Sequence, residues 1–500
     1  MASRIVLLLI MIGAARIAST YLVLNHTMDE PSFISCGLEW LTQRTYTYMP
    51  EQPPLSHITA GAGAWLAGAH NVSKAGFEAY KAPNILYESP SYYRTLAFAR
   101  AGELPFFVLA AILVWIWTRR LHGNLAGLAA VLLFTTLPPI LAHAGLATTD
   151  MALCATLLAA VYAFIRWLEE PRPAQTVLFG IAIAAGVLSK FTFLLFFPVS
   201  AAVILAIRGK WDWTVRRRLS LLAAAAICAG LVWADYWFSF APLAQGIHDA
   251  QEHIQYGHTS YLFGEARDHG WWYFFPVVLL YKTPLAFLVL AALACVWLRK
   301  SPREHWIPLA CAIAILISVL PSSIDIGIRH ILPVYALLAI PAGLAAARLI
   351  ESPTRAARIL GGFLVLWQLV ASARAHPDYI ASFNELALGR PELVRVDSDL
   401  DWGQNFDRLN RYLRKHGITE KVGLAMFGSV NPFHHGFRNW YRASPWTPST
   451  GWIAVSATQK YMCGDQPPAG VTTRPWAWLD RYQPIDRISG GAVLLYHIDH

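Results

Sequence analysis

Charged residues are scarce in this chain: they make up 14% of its 500 residues, while hydrophobic residues make up 56%. A composition this apolar excludes an ordinary soluble protein of several domains. The net charge of +9 raises the question of nucleic acid, but the Lys and Arg residues occur in short clusters between apolar runs rather than along one basic face. We therefore expect a membrane protein whose partners include membrane lipids and no nucleic acid.

Cysteine is also scarce, and the six cysteines show neither a disulfide framework nor a metal-binding spacing. Cys36 and Cys463 lie in the more polar segments, and spacing alone does not decide whether they form a disulfide. Four others lie inside apolar runs, where cysteine acts as a small apolar residue: Cys154, Cys228, Cys295 and Cys311. No cofactor or metal ligand set is therefore assigned, and a divalent metal ion stays open.

Apolar stretches long enough to cross roughly 30 Å of hydrocarbon recur about eleven times, which predicts a polytopic α-helical membrane protein. They lie at about 6–24, 103–118, 124–142, 151–168, 174–189, 191–207, 219–239, 274–297, 305–320, 331–349 and 358–374.

Basic clusters fix the predicted orientation. Arg119, Arg120 and the run 216–218 lie in loops on one side, whereas the short loops on the other side hold almost no basic residues beyond Lys190 and Arg329. By the positive-inside rule the N-terminus is cytoplasmic and everything after about 375 is extracytoplasmic. We expect a bacterial cytoplasmic (inner) membrane.

The first apolar stretch has an alternative interpretation as a cleaved signal peptide. Arg4 precedes its apolar core, and the small residues Ala18 and Ser19 follow it. This alternative changes one helix but not the side on which the next loop lies.

The predicted architecture has two domains. Residues 1–374 form a transmembrane catalytic domain whose first outside loop covers 25–102, and residues 375–500 form an extracytoplasmic domain. Within the loop, 55–69 and 91–101 have the composition of short interfacial helices. The last part changes character, with strand-like runs at 421–427 and 452–456 and a helical run at 403–415, so we expect a small α/β fold there.

Three carboxylates lie where lipid headgroups would meet the predicted loops. Asp29 and Glu30 come a few residues after the first span, and Asp150 fills a very short outside turn. A base held there can reach a lipid-linked substrate, since intramembrane or interfacial acids are rare unless they are paired, capping or functional. Capping is the alternative: Asp29 or Glu30 for a helix near Ser32, and Asp150 for a helix from Met151. Glu51 adds a further outside carboxylate.

Cations complement these acids. Lys190 falls between two spans, Lys282 lies about two turns into the span that begins near Phe274, and Arg329 occupies a short outside turn. Together they could hold a phosphate, although an internal salt bridge, such as Lys282 to an acid of the first loop, explains any one of them equally well.

A third acidic string, Asp397-Ser398-Asp399-Leu400-Asp401, does not fit the helix-loop-helix calcium pattern, because Trp402 stands where that pattern needs glycine. It is either an acidic turn before the 403–415 helix or a substrate contact from the outside domain.

Carboxylates and cations beside a membrane suit glycosyl transfer. A sugar joined to a lipid phosphate already has a good leaving group, so the protein must deprotonate the acceptor hydroxyl, stabilise the departing charge and align the two.

Several strings resemble one known family, in the same order along most of the chain. They are Asp29-Glu30, Glu51-Gln52-Pro53-Pro54-Leu55, ATTDM ending at Met151, LSKFT (188–192), GHTSYLFGE (257–265), GWWYFFPVVLLYKTPL (270–285), IGIRHILPVY (326–335) and DSDLDWGQ (397–404). On these strings the chain resembles glycosyltransferase family 39, which has the GT-C membrane fold and includes protein O-mannosyltransferases and lipid A aminoarabinose transferases.

The resemblance implies an inverting transfer, in a single displacement, of a hexosyl or pentosyl group from a polyprenyl-phosphate donor to a lipid, glycan or protein acceptor. It makes Asp29 the catalytic base, with Glu30 and Asp150 beside it. It assigns the donor phosphate to Lys190, Lys282 and Arg329, and it implies substrate contacts for the following residues: Glu51, Gln52, His258 and Asp401.

One departure bears on the substrate. Aminoarabinose transferases of this family usually have Lys where Gln52 stands, which argues against lipid A modification. A different class, a transporter or flippase of lipid-linked sugars, would also need charges within helices, but it predicts inverted repeats and mid-membrane sites, whereas here the acids cluster at one face.

Overall fold

The computed structural model describes residues 1–70, 82, 84–209, 213–464, 466–468 and 472–499. Helices dominate its first three quarters, and strands are concentrated near the C-terminus. The helices are α1 (Ala2–Ala18), α2 (Glu30–Gln43), α3 (Pro54–Leu66), α4 (Asn84–Tyr87), α5 (Tyr92–Ala101), α6 (Leu104–His122), α7 (Asn124–Thr135), α8 (Pro138–His143), α9 (Thr149–Glu169), α10 (Pro173–Ser189), α11 (Phe193–Arg208), α12 (Val215–Asp235), α13 (Ala241–Tyr256), α14 (Phe274–Lys282), α15 (Leu285–Leu298), α16 (Ile307–Val319), α17 (Leu332–Ile350), α18 (Arg355–Arg374), α19 (Phe406–Lys415) and α20 (Ala457–Tyr461).

Five helical segments among the described residues are long and apolar enough to cross a membrane. A bent pair, α14 and α15, makes a sixth, and α7, α10 and α11 are shorter apolar helices. The number of about eleven spans therefore stays a prediction. The five segments are Tyr92–His122, which joins α5 and α6, Thr149–Glu169, Val215–Asp235, Ile328–Ile350 and Arg355–Arg374.

The predicted span at 274–297 is divided into two helices by a bend that the sequence analysis does not predict. Helices α14 and α15 meet at an angle of 113°. The break lies at Thr283 and Pro284, where the proline has no backbone N–H to continue a helix. The Thr283 hydroxyl lies 2.5 Å from the Leu279 carbonyl oxygen and 2.8 Å from the Tyr335 hydroxyl, which satisfies polar groups at the bend.

The bundle is built around α9 and α17, whose residues are almost all buried, whereas α12 and α18 leave most side chains exposed, as lipid-facing helices do. Small residues let the central helices approach closely. At Gly343 of α17, an added Cβ would lie 2.6 Å from the Ala126 carbonyl oxygen of α7. Helices α9 and α17 therefore form the centre of the bundle.

Both short helices predicted in the first outside loop are confirmed, as α3 and α5. Helices α2 and α3 cross at a glycine contact, because an added Cβ on Gly37 would lie 1.8 Å from the His57 carbonyl oxygen, and one on Gly61 would lie 2.4 Å from the Gly37 carbonyl carbon. This contact fixes the direction in which α2 leaves Asp29.

The C-terminal part contains the predicted small α/β fold. Strands β3 (Val422–Ala425), β4 (Trp440–Arg442), β5 (Gly451–Ser456), β6 (Asp486–Ile488) and β7 (Val493–Ile498) form a sheet of order β4-β3-β5-β7-β6, and β1 (Ser260–Leu262) pairs with β2 (Glu265–Arg267) elsewhere. Strand β3 is parallel to β4 and β5, while β7 is antiparallel to β5 and β6. Helix α19 packs its leucines on this sheet. The domain boundary at 375 stays a prediction.

Cys36 and Cys463 do not form a disulfide. Cys36 is buried among Tyr46, Leu188 and Tyr236, whereas Cys463 accepts a hydrogen bond from the Gln459 amide in the C-terminal part.

Gly37→Ala should destabilise the protein by about 1–3 kcal/mol, because the methyl group would overlap the backbone of α3. The measurement is the thermal unfolding midpoint in detergent. Gly362→Ala is the matched control, since its Cβ meets nothing within 4 Å and alanine favours an exposed helix. Equal midpoints for the two variants would contradict the glycine contact.

Candidate functional site

Asp29 lies directly before α2. It occupies the N-cap position, but its carboxylate makes no capping hydrogen bond, so capping does not explain it. The carboxylate oxygen Oδ2 lies 3.5 Å from Nη1 of Arg329, and 30% of the side chain remains exposed. Asp29 is therefore paired on one side and accessible on the other.

Asp150 lies in the first turn of α9, and the hydroxyl residue Thr148 occupies the N-cap position instead. The capping alternative is therefore wrong for Asp150. Its Oδ1 lies 2.6 Å from Nζ of Lys190, and its Oδ2 lies 4.0 Å from Nη1 of Arg329. All three side chains are buried or nearly so. Arg329 thus lies between Asp29 and Asp150, and Lys190 contacts Asp150 through its other carboxylate oxygen. These four side chains form a row in the order Asp29, Arg329, Asp150 and Lys190.

The C-terminal part holds Arg329 from the opposite side. Its guanidinium carbon lies 4.0 Å above the ring of Trp402, within the range of a cation–π contact. The Ile328 N–H donates to Oδ1 of Asp399 at 2.9 Å, and the Met28 N–H donates to the Trp402 carbonyl oxygen at 2.9 Å. The 397–402 segment therefore fixes the backbone at Ile328, next to Arg329, and at Met28, next to Asp29.

Lys282 does not join the Asp29–Asp150 group. Its Nζ donates to the carbonyl oxygens of Ile380 and Asp399, each at 2.6 Å, and it lies 4.1 Å from the Phe383 ring centre. These contacts differ from both sequence interpretations, a donor-phosphate ligand and a salt bridge to the first loop. Lys282 anchors the 397–402 segment instead.

Arg395 completes this anchor. It is fully buried and pairs with Asp397 at 3.1 Å and with Asp399 at 3.3 Å. Its remaining donors reach the carbonyl oxygens of Tyr261 and Ile326. Asp397 and Asp399 of the acidic string are thus held in ion pairs with Arg395 and are not free carboxylates on an exposed turn.

Glu30 is engaged elsewhere. It forms a two-point ion pair with Arg100, with both N–O distances at 2.8 Å, and both side chains are fully buried. It also accepts from the N–H groups of Thr27 and Ala147. These four hydrogen bonds join α2, α5 and the turn before α9. Glu30 therefore links three segments of the chain that lie near Asp29.

Glu51 and Gln52 lie in the loop before α3. The Gln52 carbonyl oxygen accepts from the Tyr46 hydroxyl at 2.6 Å, and its side-chain Oε1 is buried with no partner among the described residues. Glu51 is partly buried near Asp249 of α13, and burial raises its pKa. No hydrogen bond within the described ranges links this loop to Arg329.

The last two predicted substrate contacts lie on the side of the C-terminal part. The Nδ1–H of His258 donates to the Thr259 carbonyl oxygen at 2.8 Å, and the partly exposed ring stacks on His253. Asp401 is fully buried, and its carboxylate accepts from the N–H groups of Gly403 and Thr458. Asp401 is therefore satisfied internally, which differs from the expected substrate contact.

The two first-loop acids differ in their proton affinity. Burial raises the pKa of Asp29, and Arg329 opposes that shift without cancelling it. For Glu30, burial acts in the same direction, but Arg100 and the hydrogen bonds outweigh it and hold the pKa below its usual value. Asp29 is therefore the better proton acceptor of the pair, and Glu30 remains a fixed charge.

No group of three or more His, Cys, Asp or Glu side chains in the described ranges is arranged to hold a metal ion.

Sequence reasoning missed Arg100, Arg395 and Trp402. Trp402 lies in a string that already carried the family resemblance, but an aromatic residue beside an acidic run gives no indication of the arginine that it covers. Arg100 lies in the predicted short helix 91–101, 70 positions from its partner Glu30. Pairs so distant in sequence become visible only in the folded chain.

One family model matches a segment of the chain. Residues 99–237 match the family model described as dolichyl-phosphate-mannose-protein mannosyltransferase. No curated protein sequence matches the chain.

Two solved structures of ArnT from Cupriavidus metallidurans match nearly the whole chain. The one bound to undecaprenyl phosphate is 15% identical, with a TM-score of 0.53 over 98% of this chain and 97% of that one. The apo structure is 14% identical, with a TM-score of 0.54 over 99% and 98%. The apo oligosaccharyltransferase of Archaeoglobus fulgidus is 14% identical over 74% of this chain and 55% of its own, with a TM-score of 0.46.

The protein therefore has the fold of the GT-C membrane proteins. Its resemblance to GT-C glycosyltransferases of the protein mannosyltransferase and ArnT type is confirmed, by the family model over one segment and by the fold over almost the whole chain.

Glu30→Gln should destabilise the protein by about 3–5 kcal/mol, because it leaves the Arg100 charge buried without its partner. Asp29→Asn should change stability by less than about 1 kcal/mol, since its pair with Arg329 is longer and partly exposed. Thermal unfolding of both variants in detergent measures the difference. Equal losses of stability would contradict the assignment of separate roles.

Proposed function

We propose that this protein is a membrane glycosyltransferase that moves a sugar from a polyprenyl-phosphate-linked donor to an acceptor hydroxyl on the extracytoplasmic face. The observation that supports this proposal is the row Asp29, Arg329, Asp150 and Lys190. It combines one partly exposed carboxylate with two cations that are fixed by ion pairs. The ArnT structure with undecaprenyl phosphate bound supports a lipid-phosphate donor.

Asp29 is the proposed base. The acceptor oxygen attacks the anomeric carbon of the donor on the face opposite the phosphate, and its proton passes to a carboxylate oxygen of Asp29. The bond between the anomeric carbon and the phosphate oxygen breaks, and its electron pair leaves with the polyprenyl phosphate. The displacement inverts the anomeric configuration. A carboxylate suits this role because it is exposed on one side and its pKa is raised.

Arg329 and Lys190 are the proposed phosphate ligands. Nε of Arg329 is buried and has no hydrogen-bond partner among the described residues, so it can donate to a phosphate oxygen. Asp150 holds both cations in place by its contacts of 2.6 Å and 4.0 Å. The cations stabilise the charge that develops on the departing phosphate, which is the largest electrostatic demand of the reaction.

The 397–402 segment has a proposed positioning role. Asp399 fixes the backbone before Arg329, and Trp402 covers its guanidinium and holds Met28 beside Asp29. Lys282 and Arg395 anchor the segment from behind. Asp29, the proposed base, and Arg329, a proposed phosphate ligand, come from distant parts of the chain. The 397–402 segment keeps the distance between them constant.

The substrates are proposed at the level of their chemical class. The donor sugar is a hexose or pentose, and the acceptor hydroxyl belongs to a lipid, glycan or protein. Glu51, Gln52 and His258 remain proposed substrate contacts, and the buried unpartnered Oε1 of Gln52 supports its place among them. The proposed location is the bacterial cytoplasmic membrane with a cytoplasmic N-terminus, on the basis of the arginine-rich loops.

Asp29→Asn should lower the rate of sugar transfer by at least about a hundredfold, because it removes the proton acceptor. The assay offers radiolabelled sugars on a panel of polyprenyl phosphates to purified protein in lipid vesicles and measures label released from the donor. Asp486→Asn, at the exposed first residue of strand β6, is the matched control and should transfer at the wild-type rate.

Three outcomes of that assay separate the alternatives. Transfer by wild type and control alone supports the proposal. Equal transfer by Asp29→Asn removes Asp29 as the base. Movement of intact lipid-linked sugar across the vesicle membrane, without release from the donor, favours the transporter.

The transfer rate should fall as pH drops through the raised pKa of Asp29, because protonated Asp29 cannot accept the acceptor's proton. Arg329 lowers that pKa, so Arg329→Gln should move the acidic limb of the rate profile to higher pH. The measurement is the rate at saturating donor across a pH series for both proteins. A limb that stays at the same pH would contradict the pairing of Arg329 with Asp29.

A further inference from the structure

A second polar cavity opens where the chain leaves α1 and meets α19. Its volume is about 230 Å³, below the roughly 300–1,000 Å³ of pockets for drug-sized ligands, so it suits a small polar group. None of its residues belongs to the row around Arg329. The lining includes Leu22 after α1, Asp407, Asn410, Arg411 and Arg414 of α19, and His435.

Two arginines give this cavity unpaired positive charge. Arg411 and Arg414 stand three positions apart on α19, on one face of the helix. Neither forms an ion pair with a carboxylate in the part of the chain that the structure describes. Arg411 reaches the carbonyl oxygens of Val23 and Asp407, and Arg414 reaches that of Gly436 at 3.4 Å. Both guanidinium groups keep donors for an anion.

Buried acceptors lie beside these donors. Asn410 is 7% exposed, and its amide nitrogen donates to the His435 carbonyl oxygen at 2.9 Å, while its Oδ1 has no partner among the described residues. Asp407 is also buried, with its carboxylate bonded to the His435 ring at 2.8 Å and to the Tyr93 hydroxyl at 3.1 Å. A buried acceptor without a donor is costly, so the cavity favours a ligand that supplies a hydrogen-bond donor.

The position of Leu22 indicates where such a ligand comes from. Leu22 lies four residues after the end of α1, and its side chain is 65% exposed. An exposed leucine next to two arginines matches the boundary between hydrocarbon and headgroups, where arginine meets lipid phosphate.

We propose that this cavity binds the headgroup of an outer-leaflet phospholipid. The headgroup phosphate lies between Arg411 and Arg414, and a hydroxyl or primary ammonium group of the headgroup donates to Oδ1 of Asn410. The acyl chains pass over Leu22 into the bilayer. This site is independent of the proposed transfer reaction, because it uses different residues.

The test is lipid binding to the full-length protein, purified and delipidated in detergent, by native mass spectrometry. The probes are short-chain phosphatidylethanolamine, phosphatidylcholine and inorganic phosphate. Replacing both Arg411 and Arg414 by Gln should weaken phosphatidylethanolamine binding at least about tenfold, since it removes the charge-assisted hydrogen bonds to the headgroup phosphate. Arg442→Gln, an exposed arginine on β4, is the matched control and should bind as wild type does.

The headgroup donor is tested by the choice of lipid. Wild type should bind phosphatidylethanolamine more tightly than phosphatidylcholine, whose quaternary ammonium has no N–H, and Asn410→Leu should abolish that preference. Unchanged lipid binding in the double arginine variant would overturn the proposal. Binding of inorganic phosphate that depends on both arginines, without lipid binding, would overturn it in favour of a free-anion site.

Discussion

The guanidinium of Arg329 is the constraint on which the site depends. It lies between two carboxylates, Asp29 at 3.5 Å and Asp150 at 4.0 Å, and it is covered by the ring of Trp402 at 4.0 Å. A nearly buried arginine is stable only when such partners surround it. The three partners come from the first loop, the membrane bundle and the C-terminal part, so the ion pairs hold these parts together at one place.

The C-terminal part is therefore a component of the site and not an appendage. Its 397–402 segment is fixed from behind by Lys282 and Arg395, and it fixes in turn the backbone at Met28 and Ile328. On the other side, the buried pair of Glu30 and Arg100 holds the start of α2 against α5. Asp29 lies between these two groups of contacts, and part of its side chain stays exposed, as the proposed role of a base requires.

The sequence predicted the elements better than their contacts. Apolar length predicts several of the long apolar helices, and alternation predicts β3 and β5, because both patterns are local. Asp29, Asp150, Lys190 and Arg329 were also predicted, since charges at the ends of apolar runs are unusual enough to stand out. Lys282 was assigned to the phosphate, yet it binds backbone carbonyl oxygens, and the bend at Pro284 was missed. The contacts of Lys282 and the bend at Pro284 depend on which distant segments pack beside them. The spacing of residues in the sequence does not encode that packing.

Direct binding of the leaving group tests the central claim that Arg329 is a phosphate ligand. Undecaprenyl phosphate is titrated into wild-type protein, Arg329→Gln and the exposed control Arg442→Gln in lipid nanodiscs, and the dissociation constants are compared. If Arg329 is a phosphate ligand, Arg329→Gln alone should bind at least about tenfold more weakly, because it loses one charge-assisted contact. Equal affinity in all three proteins would contradict it.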